Sequence, residues 1–568
     1  MLILTVNSCR SLMEAPVKSS VSIALLLLFF SAVPGSMSLS QVDTLTILHL
    51  NDTHSTLAPI GPRTAALEGT LGGIARAATI IGRVKAKNPG VPAVVLHAGD
   101  FSIGDIFYNV TFGVAELRIL AALGVDAIAV GNHEFDLGPS TLLRVLDSAF
   151  VGNRIPLLSS NLVLADPSVR ALRTYIQPSV VRTIGSRKIG IFGLTTPATN
   201  LLSQPLPAVV DTNVVPIAAA TIKTLRSEGC VAVICLSHLG IAHDRLLARA
   251  VTGIDLIVGG HDHYLTKRPE AVVNPGGDTT WIVQSNAFYL DMGMIRFSVA
   301  PGGVRFIDYK LIPLDASVRP DPSVEAVVNQ LKSEIEAKYG QVFSRKVAEV
   351  AGYFREVADS LTFRGNKDTP IGNLVTAAFR DFMHTDIAME AGGSTAQPLY
   401  PGPIVADDLF RVVGYGCNAE NGLGYNLVKF TMRGDAILAG LEFGVSQIEL
   451  DDEFLLQVSG MSYAYDSERE QGRRIHSVMV GGVPLDPTAT YTITANAFVP
   501  VTLEQVGIPY SKLHVCAGDT TEFQVLTRYA AQLKTLRPVR DGRVRNAPVA
   551  SSGARGEGLT PEGRVMIE

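Results

Sequence analysis

From residue 43 to about 315, short apolar runs rich in Val, Ile and Leu alternate with stretches whose apolar residues recur at helical spacing, such as Gly73 to Lys87 and Ala115 to Leu123. Apolar runs of about four to eight residues mark strands buried on both faces, and the helical stretches between them supply the covering layers. This pattern predicts an α/β fold. The Pro-rich passage IPLDASVRPDP then leads into Ser323 to Tyr339, where Val324, Val327, Val328, Leu331 and Ile335 share one helical face and Lys and Glu fill the other. A helix over 320–342 is therefore expected to join two domains. Beyond it, residues 345–545 mix strands, at Leu427 to Met432, Phe454 to Val458 and Tyr491 to Thr494, with one or two helices. That composition suits a smaller mixed α/β domain, and 546–568 read as a loose tail.

At the N-terminus, Arg10 and Lys18 precede Val21 to Val33, a 13-residue apolar run closed by Pro34, Gly35 and Ser36. The run falls short of the roughly 20 residues that span a bilayer and has the build of a secretory signal peptide over 1–38. No second run reaches spanning length and the C-terminal residues are polar, so the expected product is secreted or periplasmic, with no stable membrane span. With 568 residues, 47% of them hydrophobic and 18% charged, the chain can bury a large core, which excludes a disordered or fibrous protein. Lys and Arg total 48 against 53 for Asp and Glu, and no dense basic run is present, so nucleic-acid polymers are not expected partners. Of the five Cys, Cys9 lies in the leader, and Cys230 and Cys235 are spaced to face opposite sides of one strand. Cys417 and Cys516 are the pair expected to bridge. Asn109 in NVT is an acceptor sequon for glycosylation.

The chemistry-bearing residues sit where the apolar runs stop. LTILHLNDTH ends in Asp52 and His54, AVVLHAGD in Asp100, DAIAVGNHEFD in Asn132, His133 and Asp136, VAVICLSHLG in His238, and LIVGGHDH in His261 and His263. Ligand sites in open α/β sheets form just outside the carboxyl ends of the strands, so these five segments are expected to converge. Oxygen and imidazole donors without a thiolate suit a hard or borderline divalent ion, and seven donors exceed what one ion takes. His49 and His97 point inward behind these groups and read as core or supporting histidines. His243, Asp105 and Glu134 read as supporting residues at best.

In this order, D-x-H, G-D, G-N-H-E, a lone His after a strand and G-H-x-H resemble the signature of the calcineurin-like metallophosphoesterases. NDTHSTL, HAGDFSIGD, GNHEFDLG, SSNL, SHLG and GGHDH are similar to its secreted 5'-nucleotidase branch. The resemblance implies a four-layer β-sandwich flanked by helices over 43–315 and a 5'-nucleotidase-type substrate domain over 345–545. It implies two divalent ions (Zn, Mn, Co or Fe), one at Asp52, His54, Asp100 and His263, the other at Asp100, Asn132, His238 and His261. Such a pair activates a water and clamps phosphoryl oxygens during in-line displacement. His133, oriented by Asp136, is the implied proton donor to the leaving oxygen. In the second domain Arg364 is a candidate phosphate contact, and Tyr415 and Phe498 are candidates for the two faces of a base sandwich. Thr395 stands where the family's Gly-Gly-Gly-Ile-Arg turn carries its Arg. The implied activity is hydrolysis of nucleoside 5'-monophosphates. A 2',3'-cyclic-nucleotide phosphodiesterase, a UDP-sugar hydrolase and a vestigial nucleotide-binding protein remain as alternatives.

Overall fold

The computed structural model describes residues 44–87, 93–300, 303–358, 360–516, 518 and 520–549. The expected signal peptide and the tail beyond residue 549 lie outside them. In the first half, strands Thr44–Leu50, Ala93–His97, Ala127–Ala129, Leu157–Leu158 and Ile176–Gln177 run parallel, and Asp291–Ala300 and Gly303–Pro313 add antiparallel to complete a seven-stranded sheet. A six-stranded sheet sets Arg187–Thr195, Cys230–His238, Leu256–Gly259 and Thr279–Val283 in parallel between two antiparallel edge strands.

Strand alternation explains how the layers stack. Leu45 and Ile47 join Ile191, Ile234 and Leu236 in a core between the two sheets. Leu48 and Leu50, one residue out of phase, face the other way and pack with Ala77, Ile80 and Ile81 of helix Ile74–Lys87. Helices Val214–Ser227 and Ile241–Ala250 cover the outer face of the second sheet through Ala218, Ile222, Leu225 and Leu247. The result is the expected four-layer sandwich of helix, sheet, sheet and helix.

In the second half a five-stranded sheet orders Leu456–Ser459, Ile387–Ala391, Thr490–Asn496, Leu427–Arg433 and Ser511–Val515 side by side, with helix Pro370–Met383 packed on it. This half holds more helix than its pattern suggests. Helices such as Gly434–Gly444, with the sequence GDAILAGLEFG, carry too few polar residues to draw a clear amphipathic stripe.

The joining helix runs Pro322–Tyr339. Asp321 caps it by accepting from the Ser323 and Val324 N–H groups at 3.0 and 3.1 Å, and Pro322 occupies the first turn. Val328 and Ile335 bury against the first half, in a core that continues through Phe107, Phe343, Phe410 and Phe523 into the second. Polar contacts reinforce this seam. Arg63 forks onto both oxygens of Asp408 at 2.6 and 2.7 Å, and Arg411 meets Asp407, Asp408 and, at 3.5 Å, Asp105 of the first half.

Two expectations are corrected here. Cys230, Cys235, Cys417 and Cys516 are all free, and the Cys516 sulfur lies 3.8 Å from that of Met383 in an apolar setting instead of reaching Cys417. Asn109 is buried and donates to the carbonyls of Gly416 and Gly422, so it ties the two halves together and offers no exposed acceptor for a glycan. Among the described residues no helix is long and apolar enough to cross a membrane.

Candidate metal centre

The five strand ends converge. The loop after Thr44–Leu50 lies alongside the loop after Ala93–His97, with the Asp52, His54 and Ser55 N–H groups donating to the carbonyls of Gly99, Asp100 and Phe101 at 3.0 to 3.1 Å. Asp52, His54, Asp100, His261 and His263 all adopt positive φ, between 48° and 92°. Such backbone is uncommon for residues other than Gly and costs about 1–3 kcal/mol each, and it clusters at functional sites. Glu134 holds the arrangement from below: its buried carboxylate accepts from the N–H groups of Asp100, Phe101, Ser102 and Gly131. Its place as the last letter of G-N-H-E was the only trace of this role in the sequence.

Two donor groups form side by side, Asp52 with His54 and His263, and Asp100 with His238 and His261. Asp100 Oδ2 is 3.0 Å from His238 Nε2 and 4.0 Å from His54 Nε2, so one carboxylate faces both groups. Asn132 brings its amide oxygen to 3.2 Å from His238 Nε2. The opposite ring nitrogens of His54 and His238 rest on backbone carbonyls, of Ser102 and Ile103 at 3.2 and 3.0 Å and of Ala98 at 2.7 Å, which leaves each Nε2 as the bare nitrogen facing inward. Burial keeps His54 neutral by pushing its pKa down to about 3, and likewise holds that of His263 well below its ordinary range. These two rings nonetheless bring their Nε2 atoms within 3.0 Å of each other. Lone pairs set face to face beside buried carboxylates are the donor set of a cation, and the residues therefore fit divalent ions. Oxygen and imidazole donors without a thiolate suit hard or borderline ions such as Zn, Mn, Co and Fe.

The supporting histidines separate cleanly. His97 meets the Thr53 hydroxyl at 2.9 Å, and that hydroxyl donates to buried Glu116 at 2.6 Å behind the Asp52 loop. His49 packs against Gly293, with no hydrogen-bond partner for either ring nitrogen, as a neutral core residue.

His133 lies at the edge of both groups. Its Nδ1 is 2.6 Å from Asp136 Oδ2, and the Ser203 hydroxyl donates to the other Asp136 oxygen at 2.6 Å. Burial opposes a charge on this ring, but Asp136 and Asp100 outweigh it and push the pKa up to about 9. The His133 backbone N–H donates to Asp100 Oδ1 at 3.1 Å.

A cleft of about 990 Å³ opens above these residues, walled by both halves. Tyr415 stacks on the His133 ring at 4.5 Å between centroids and 23° between planes, and sits 5.2 Å from the His54 ring. It therefore covers the His133 and His54 rings instead of pairing with Phe498. Tyr425 takes that position, nearly parallel to Phe498 with centroids 6.2 Å apart. Arg364 does not line the cleft; it is held by Asp466 at 2.7 Å and Glu468 at 2.9 Å. Thr395 does line it. Among the described lining residues there is no Lys or Arg, whereas Asp262, Glu356, Glu449, Asp451, Asp452 and Glu453 are all present.

Residues 45–265 match the family profile described as calcineurin-like phosphoesterase, and residues 347–504 that of the 5'-nucleotidase C-terminal domain. A 5'-nucleotidase of Diplobatis ommata is 28% identical, covering 88% of this chain and 89% of its own. The solved structure of a 5'-nucleotidase precursor from Thermus thermophilus aligns with a TM-score of 0.77 at 29% identity, over 89% of this chain and 100% of that one. A sulfate thiohydrolase from the same organism shares the fold, with a TM-score of 0.73 at 22% identity over 89% of this chain and 97% of that one. Strand-end donors, a four-layer sandwich and a second half matched in its own right agree: the chain belongs to the 5'-nucleotidase family of metal-dependent phosphoric monoester hydrolases.

Proposed function

We propose that this protein is an exported 5'-nucleotidase that hydrolyses nucleoside 5'-monophosphates to nucleoside and inorganic phosphate. The observation that carries the reading is the pair of adjacent donor groups under a cleft that also holds two near-parallel aromatic rings. On this reading residues 43–315 form the catalytic domain and 345–545 the substrate domain. Asp52, His54, Asp100 and His263 hold one ion, and Asp100, Asn132, His238 and His261 the other. When bound, two such ions supply water activation and charge stabilisation of the phosphoryl oxygens.

The protein's own groups supply the rest. Asn132 offers an amide oxygen without another negative charge, which leaves the site attractive to a phosphate dianion. His133 carries a proton at Nε2 while Asp136 and Ser203 fix its orientation through Nδ1, so it can deliver that proton to the leaving oxygen. Tyr415 covers the histidines and limits water around them. Tyr425 and Phe498 offer the two faces of a base sandwich, each stacking contact contributing about 1–3 kcal/mol. With no Lys or Arg among the described lining residues, a second phosphate has no counter-charge away from the ions, which favours monophosphates over UDP-sugars. The basic-flanked apolar run at Val21 to Val33 supports export.

The test is phosphate release by the purified chain reconstituted with Mn, Zn or Co, across AMP, other 5'-monophosphates, 2',3'-cyclic nucleotides, UDP-sugars and an aryl phosphate. Turnover of AMP well above the aryl phosphate is expected. Activity on cyclic or aryl esters alone overturns the nucleotidase reading, and ions bound with no turnover of any ester leaves a nucleotide-binding protein.

A further inference from the structure

Three histidines of the centre have one ring nitrogen held by a partner. For His54 and His238 that partner is a backbone carbonyl of the first half. For His261 it is a carboxylate from the second half: Glu453 Oε1 lies 2.9 Å from His261 Nε2. Because Nε2 is engaged, Nδ1 is the nitrogen left to face Asp100 and His238. The His261 backbone is already fixed by donation from its N–H to Asp52 Oδ1 at 2.9 Å, so Glu453 sets the remaining freedom, the rotation of the ring.

Glu453 is itself placed with care. Its carbonyl accepts from the Gly393 N–H at 3.0 Å, and the Gly392 N–H donates to the Leu455 carbonyl at 3.0 Å. The two glycines let the chain approach closely: a Cβ on Gly392 would stand 2.6 Å from the Asp452 carbonyl oxygen, and one on Gly393 would stand 3.2 Å from the Glu453 Cα. The turn AGGST, which lacks an Arg, thus cradles the segment that reaches His261.

We propose that Glu453 is a positioning residue through which the second half completes the metal site of Asp100, Asn132, His238 and His261. A carboxylate on the far nitrogen of a metal-bound His fixes its tautomer and raises its basicity, and loss of such a partner costs about 10–100-fold in metal affinity. The ion at this site therefore depends on the docking of the second half, and by linkage its binding favours the docked arrangement. This inference rests on the metal assignment of the proposed function.

The experiment is a Co(II) titration of chelator-stripped full-length protein, following the cobalt absorption bands and the number of ions bound, for wild type, Glu453→Ala, Glu453→Gln and Gly393→Ala. Wild type is expected to take two ions. Glu453→Ala should weaken one of them about 10–100-fold and leave the other unchanged. Glu453→Gln, whose amide oxygen can still accept from Nε2–H, should recover part of the loss. Circular dichroism checks the fold of each variant. If Glu453→Ala does not fold, Gly393→Ala, which displaces the Glu453 segment while keeping its chemistry, carries the same expectation. Two ions held with wild-type affinity in the folded variants overturn this inference alone. A wild-type chain that takes fewer than two ions overturns the metal assignment beneath it.

Discussion

Replacing Gly131 by Ala tests how tightly the centre is built. A Cβ at this position would lie 2.1 Å from Asp100 Oδ1 and 2.8 Å from both its Cγ and its backbone N. Ordinary contact begins at 3.4 Å, so the carboxylate has to retreat by roughly 1.3 Å. It cannot do so freely, because Oδ1 accepts from the His133 N–H at 3.1 Å and the Gly131 N–H is held by Glu134 at 2.6 Å. Overpacking of this kind costs about 1–3 kcal/mol of stability. The functional cost adds to this, since a misplacement of about 1 Å at a reacting centre can lower the rate about 100-fold. Asp100 faces both donor groups, so both ions should weaken together. The assay is kcat/KM for AMP beside the metal content of the purified protein. Gly82→Ala, on the exposed face of helix Ile74–Lys87 with open space around the new methyl, serves as the control and should be neutral or slightly stabilising. Wild-type turnover and a full complement of ions in Gly131→Ala would refute the reasoning.

Other expectations follow from particular contacts. His133→Ala should lower kcat on AMP by about 100- to 10,000-fold, with a much smaller loss on p-nitrophenyl phosphate, whose leaving group needs no proton, and with both ions still bound; equal losses on the two esters would remove the acid role. Arg411→Met leaves Asp105, Asp407 and Asp408 buried with Arg63 as their remaining cation, and urea unfolding should show a loss of about 3–5 kcal/mol; a loss under 1 kcal/mol would mean that the seam tolerates the charge. Burial pushes the Glu390 carboxyl up to about 8, above its ordinary 4.5, so the folded chain keeps a proton that the unfolded chain gives up. The associated stability is fully present below about 4.5 and is lost as pH rises through about 8. Unfolding of Glu390→Gln should therefore be less pH-dependent across that window, and an unchanged slope would contradict the assignment.

The sandwich and its donors were legible in the sequence because both are local. Buried parallel strands leave unbroken apolar runs, and each donor lies within a few residues of the end of its own run, as Asp52 and His54 do after Leu50. What escaped depends on distant segments meeting. Glu453 follows its run of acidic neighbours with no local mark that it reaches His261, nearly 200 residues away in the chain. Tyr415 and Tyr425 lie in one loop, and the sequence does not say which faces Phe498; the parallel between the two rings arises only when strand Leu427–Arg433 pairs with Thr490–Asn496. Arg364 had the right chemistry for phosphate, but Asp466 and Glu468 come from a distant hairpin to claim it. The missed disulfide has the same origin, since Cys417 and Cys516 sit near one domain's edge in sequence terms yet their side chains take different neighbours.

The acidic wall of the cleft bears on how a substrate approaches. Asp262, Glu356, Asp451 and Asp452 line the approach, where the described lining residues include no Lys or Arg, while Glu449 is paired with Arg474 and Glu453 with His261. An approaching dianion thus meets a negative potential until divalent charge is seated beneath it. Divalent ions held by the strand-end donors would offset this potential, so the carboxylates that attract cations would oppose a phosphate in their absence. Raised salt, by screening the rim carboxylates, should weaken their opposition to nucleotide, the reverse of what a cleft lined with arginines would do.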